Sequence, residues 1–157
     1  MKISQNFSLN ELTKSDTAIR QGLENEPDQD QIISLTALVH KCLQPIRSKY
    51  EKVVTCTSGF RTPEVCKSVG SSSKSQHCRG EACDFEILGL DNKEVTQSIP
   101  DIVGEFDQLI LEYYIDSVAG NSGWIHLSYN RLGSNRNECL RAVRKDGETK
   151  YEPWDLK

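Results

Sequence analysis

Two short stretches of the chain hold residues that bind metals or move protons. Ser75 to Asp84, SQHCRGEACD, carries His77 and Asp84 with Gly80 between them. Gly123 to Tyr129, GWIHLSY, sets His126 beside Trp124 in a β-like run. Zinc accepts imidazole nitrogen and carboxylate oxygen, and a catalytic zinc site takes three protein ligands and leaves one position for water. His77 and Asp84 supply two ligands if the chain turns at Gly80, and His126 is the candidate third. Spacing alone leaves a second possibility, in which His77 is a surface loop residue and His126 packs between strands. His40 is the remaining histidine. It falls among Leu38, Val39 and Cys42 on a helix-like stretch, where a structural or surface role is expected. Cys78 and Cys83 flank the pair. Thiolate also binds zinc, but Cys83 and Asp84 are strand neighbours whose side chains point to opposite faces. Both cysteines are expected to be small buried residues.

The elements that must position these groups are legible in outline. Ser8 and Glu11 form a capping-box pattern that opens a short helix. After a loop through LENEPDQD, Asp30 is placed as the cap of a longer helix. Ile32, Leu35, Val39, Cys42, Leu43 and Ile46 recur there at helical spacing, with a kink expected at Pro45. Lys52 to Thr57 is β-branched and reads as a strand. A helix is expected from Pro63 to about Gly70, then a polar loop over 71–80, then a strand over 81–88. LDNKEVTQSI suggests a short helix ending before Pro100. Strands are expected over 106–114 and 123–129, followed by a hairpin turning at Asp146–Gly147. Helices first and antiparallel strands later give an α+β fold with a small, mostly antiparallel sheet.

Bulk properties narrow the partners. The chain has 157 residues, enough for one domain, 1–157, with a true core. Nineteen basic residues against 23 acidic ones give a net charge of −4, which argues against nucleic acid as the main partner. The first sixteen residues hold no apolar run of signal-peptide length, and no stretch is long and apolar enough to predict a membrane span. A reducing cytosol is therefore the expected place of synthesis. The 6 cysteines form no C-x-x-C pair, and reduced thiols are expected.

Residues 58–87, followed by FDQLILE and GWIHLSY, resemble the zinc D-alanyl-D-alanine carboxypeptidase family. That family is related in fold to the hedgehog signalling domain and to phage L-alanyl-D-glutamate peptidases. Its S-x-H-x-x-G-x-A-x-D signature is matched by Ser75, His77, Gly80, Ala82 and Asp84. Trp124, His126 and Ser128 match its last zinc histidine strand, and the similarity runs from about residue 6 to about residue 130. The resemblance implies a hedgehog-like fold with zinc (Zn2+) held by His77, Asp84 and His126. It also implies that Arg61 faces the substrate or the developing oxyanion, with Ser75 and Gln76 at the rim. Many relatives place a Glu or Asp three residues before the last histidine. Gly123 stands there and accepts no proton. Glu112, on the strand expected to pair with that of His126, is the candidate general base, with Asp116 as second choice.

The implied activity is hydrolysis of a peptide bond in the bacterial peptidoglycan stem peptide. Carboxypeptidase action on D-Ala-D-Ala and endopeptidase action on L-Ala-D-Glu both remain open. The resemblance further suggests a monomer that reaches the wall after release, or as a virion-associated lysis enzyme. Gly123 keeps a different class in view, a zinc-containing wall-binding or structural module without turnover. The six cysteines keep a redox or disulfide protein in view.

Overall fold

A computed structural model describes all residues, 1–157. Three helices lead the chain: α1 (Leu9–Thr13), α2 (Asp16–Gln21) and α3 (Gln29–Leu38). Ser8 caps α1 as expected, its hydroxyl accepting from the Glu11 N–H. The cap of α3 is Asp28 rather than Asp30. Asp28 and Gln31 close a reciprocal capping box, which leaves Asp30 inside the first turn as a charge favoured by the helix dipole. The expected kink at Pro45 takes the form of one π-helical turn over Val39–Leu43, continued by α4 (Gln44–Tyr50). The Gln44 N–H reaches back five residues to the Val39 carbonyl. The widened turn lets the helix run on although Pro45 offers no N–H.

The sheet has six strands: β1 (Val54–Ser58), β2 (Ala82–Ile87), β3 (Gln108–Glu112), β4 (Trp124–Ser128), β5 (Glu138–Lys145) and β6 (Glu148–Pro153). Their spatial order is β1-β2-β4-β3-β5-β6. Every neighbouring pair is antiparallel except β3 and β5. The α+β class and the mostly antiparallel sheet expected from the sequence are both present. The hairpin turns at Asp146–Gly147 as expected.

Two further helices complete the chain, α5 (Pro63–Ser68) and α6 (Asn92–Val103). Pro100 does not end α6 but lies inside it. It sits in the last turns, next to Ile99, which is fully buried in the core. The polar loop expected over 71–80 contains a 3₁₀ turn, Gln76–Arg79, with Ser75 as its cap.

One face of the sheet packs on the helices. Cys83, Phe85, Leu109, Ile125 and Leu127 meet Leu35, Leu38, Cys42 and Ile46 of the long helix and Val95 and Ile99 of α6. Alternation then sends Ala82, Asp84, Ile110, Glu112 and His126 to the other face. No helix is long and apolar enough to cross a membrane.

Candidate active site

Strand register brings the candidate ligands together. Asp84 on β2 stands opposite His126 on β4, and His126 stands opposite Ile110 on β3. Two residues along β3, Glu112 faces Trp124. His77 arrives from the 3₁₀ turn above the sheet. The Ser75 hydroxyl accepts from the His77 N–H, and Gly80 closes the turn. The three ligand atoms of His77, Asp84 and His126 lie within 4.8 Å of one another, and all three residues are buried.

The donor set fits zinc. His77 Nε2 is 3.5 Å from Asp84 Oδ2, close to the roughly 3.3 Å between two ligands of a tetrahedral zinc. The other ring nitrogen of His77, Nδ1, donates to the Gly59 carbonyl at 2.7 Å. That bond fixes the tautomer with Nε2 unprotonated and turned towards Asp84, as a metal-ligating imidazole requires. His126 Nδ1 lies 2.9 Å from Asp84 Oδ1 and 3.7 Å from Glu112 Oε1.

Burial and charge set the ionisation of these groups. Burial pushes the His77 pKa down, and the neighbouring Asp84 carboxylate only partly offsets it. His126 is pushed down by burial too, but its hydrogen bond to Asp84 and the charges of Asp84 and Glu112 win and raise it. Burial alone would raise the Asp84 carboxyl, yet the two histidines hold it well below the usual carboxylate range. Glu112 is raised to about 7, first by burial and then by the charge of Asp84. A carboxyl at that value exchanges protons near neutrality.

These groups lie in a groove of about 1050 Å³, together with Arg61, Ser75 and Gln76. Arg61 is anchored by its Nε on the Ser58 hydroxyl at 2.9 Å, and its Nη2 is 3.6 Å from Asp84 Oδ2. The Gln76 amide donates to Asp107 at 2.9 Å, so it ties the His77 turn to the start of β3. Asp116 lies elsewhere. It sits on the exposed loop after β3, paired with Lys93 and Arg141, and takes no part in the groove. His40 is exposed, with Nε2 3.1 Å from the Ile3 carbonyl, in keeping with a structural role.

Gly123 explains why a base cannot stand at that position. Its φ is +64°, and a Cβ there would lie 2.0 Å from the Glu112 carbonyl oxygen. The chain ends of β3 and β4 close so tightly that only glycine fits. The same closure sets Glu112 directly across from Trp124, two residues before His126.

Two features escaped the sequence reading. Asn25, in the loop before α3, donates to the Phe60 carbonyl and accepts from the Thr62 N–H, both at 2.9 Å, and so holds the backbone on either side of Arg61. A lone asparagine in a polar loop gave no signal of this. The close approach of two cysteines is the second. Cys66 of α5 and Cys78 of the 3₁₀ turn bring their sulfurs together, because α5 packs on that turn. The other four cysteines are free. Cys83 points into the core as expected, with its sulfur 2.9 Å from that of Cys56.

The Peptidase M15 family profile matches residues 5–128, which hold both histidines, Asp84, Arg61 and Glu112. The chain belongs to the Peptidase M15 family. M15 peptidases are zinc-dependent metallopeptidases, so the buried His-Asp-His cluster and the family agree on the same chemistry. No curated protein matches the chain. The M15 profile ends at Ser128, at the end of β4, and β5 and β6 lie beyond it.

Proposed function

We propose that this M15 peptidase hydrolyses a peptide bond in the bacterial peptidoglycan stem peptide, with zinc held by His77, Asp84 and His126. The observation that carries this reading is the convergence of those three buried side chains, with Glu112 beside them, in one groove. Zinc held by these residues would supply a Lewis acid for the scissile carbonyl and a more acidic water.

The chain's own groups do the rest. Glu112, 3.7 Å from His126, takes the proton of the attacking water as its oxygen bonds to the carbonyl carbon. It then returns that proton to the leaving nitrogen as the C–N bond breaks. Arg61 offers a fixed guanidinium to the developing oxyanion or to a terminal carboxylate. Ser58 and Asn25 keep that side chain and its backbone in place. Ser75 caps the turn that presents His77, and with Gln76 it lines the substrate's path. On this reading the enzyme acts as a monomer on the wall, after release or as part of a virion.

The test is to incubate the zinc-loaded protein with stem peptides and read the products by mass spectrometry. Loss of a terminal D-alanine identifies a carboxypeptidase, and a cut between L-Ala and D-Glu an endopeptidase. Bound zinc with no product from any stem peptide would overturn catalysis and favour the wall-binding module.

A further inference from the structure

The groove extends well past the metal ligands. The parallel pairing of β3 with β5 carries its floor onto the hairpin, because Leu140 and Ala142 continue the face of Ile110 and Glu112. Tyr151 pairs with Ala142, and Thr149 with Arg144, on that same face. Arg144, Thr149 and Tyr151 all line the groove. They belong to the segment beyond the M15 match.

The charge of this groove is opposite to that of the chain. Its walls carry Arg61, Lys74, Arg79, Arg136 and Arg144, against only Asp84 and Glu112, while the whole chain has a net charge of −4. Three of the five cations already have carboxylate partners within the protein. Arg61 meets Asp84, Arg79 meets Glu81, and Arg136 meets Asp107 and Glu138. Lys74 and Arg144 have none within ion-pair distance. Lys74 is a flexible ammonium on an exposed loop. Arg144 is different, because its guanidinium is seated 5.7 Å from the centre of the Tyr113 ring.

That seat is itself built. Tyr113 holds a left-handed backbone, φ +57°, which is uncommon and costly for a residue with a large side chain. Its hydroxyl is 2.6 Å from the Thr149 hydroxyl, and its ring packs on Trp124 at 5.2 Å. A ring fixed on three sides under an unpaired guanidinium presents that charge in one place. The stacking leaves the N–H fork free for a planar anion.

We propose that Arg144, seated on Tyr113, is a specificity-determining residue that binds a carboxylate of the peptide substrate at a distance from the cut. This rests on the peptidase reading and names its substrate as an acidic peptide. β5 lies two strand spacings from β4, roughly 10 Å, and Arg144 is further along its strand than the level of His126. An extended peptide advances about 3.3 Å per residue. Leu140 is level with His126 and Arg144 stands four residues, about 13 Å, beyond it, so the bound carboxylate lies about 16 Å away, about four or five residues from the scissile bond and separate from whatever Arg61 contacts.

The experiment uses the stem pentapeptide L-Ala-γ-D-Glu-L-Lys-D-Ala-D-Ala in three forms: unmodified, amidated on the glutamate α-carboxylate, and amidated at the C-terminus. Each is tested with the full-length wild type, Arg144→Met and Arg144→Lys. The two readouts are kcat/KM with zinc-loaded protein and calorimetric binding to metal-free protein. The expected result is that one amidation weakens binding to the wild type by about tenfold and leaves binding to Arg144→Met unchanged. Arg144→Lys is expected to fall between, because it keeps the charge and loses the fork. The same ratios for wild type and Arg144→Met overturn the proposal, as does failure of all three peptides to bind. Absence of turnover by the wild type sinks the peptidase reading instead, and the binding ratios on metal-free protein still decide the role of Arg144.

Discussion

The central strands β2 and β4 and the outer hairpin β5–β6 share one sheet but live in different environments. Along β2 every residue but Glu86 is buried, and along β4 every residue but Trp124. In the hairpin only Ala142 is buried. An antiparallel strand with one wet face alternates. β2 and β4 do not, because their second face is covered by the His77 turn and holds the ligand cluster. Burial displaces the ionisation of His77 and Glu112, while at Asp84 and His126 the hydrogen bonds and charges packed into the same cluster overcome it. The hairpin leaves Arg144 exposed and without a carboxylate partner, so its charge stays available for an anion. Chemistry and recognition are thus sorted by depth.

The largest expected effect breaks the buried side of this comparison. Asp84→Ala is expected to lose stoichiometric zinc and to cut turnover by more than about a thousandfold. Metal analysis of the purified variant, followed by peptide hydrolysis, checks both. Glu112→Gln separates the two roles of the cluster. Zinc content should match the wild type, while kcat falls about 10²- to 10⁴-fold; unchanged kcat would remove Glu112 as the base.

Gly123→Ala carries the comparison to the backbone. The left-handed φ and the clash with the Glu112 carbonyl predict a loss of about 2–4 kcal/mol in urea unfolding. Asp107 sits at the joint between the two regions, accepting from Gln76 beside His77 and from Arg136 just before the hairpin. Its replacement by Asn is expected to cost about 1–3 kcal/mol at pH 7. The hydrogen bonds from Arg136 hold the Asp107 carboxyl below its ordinary value. Its stabilisation is therefore complete above the unfolded-state pKa and lost as pH falls through the lower folded-state one. The gap between wild type and Asp107→Asn should close in acid, and a gap that persists below about pH 2 would contradict this. The smallest effect belongs to the hairpin surface. Lys150→Ala removes an exposed pair with Glu148 and should change stability by less than about 0.5 kcal/mol.

His77, Asp84 and His126 were legible because the chain has only 3 histidines and two of them sit in recognisable runs. Glu112 was legible because pairing of β3 with β4 could be foreseen, although their closure at Gly123 could not. The strands and the hairpin turn followed from β-branched runs and Asp-Gly. The cap at Asp28 was missed because two aspartates two residues apart compete, and only the bond to Gln31 decides between them. Pro100 was read as a stop, yet α6 continues through it. The parallel pairing of β3 with β5 had no local signal at all, since it depends on how far the chain travels between them. Asn25 and Arg144 were invisible for the same reason: Phe60 and Thr62, which Asn25 holds, lie 35 and 37 residues away, and Tyr113, which seats Arg144, lies just past the end of β3.

The Gly59 carbonyl orients His77, and Gly59 itself lies against α1 so closely that a Cβ would stand 2.2 Å from the Leu12 carbonyl oxygen. The Phe60 N–H donates to that same oxygen at 2.7 Å. The first helix thus serves as a mould for the loop that aims the imidazole. The loop between α2 and α3, with Glu24 and Glu26 exposed, connects the mould to the rest of the chain. The aim of a zinc-site imidazole therefore depends on the packing of a five-residue helix far from it in sequence.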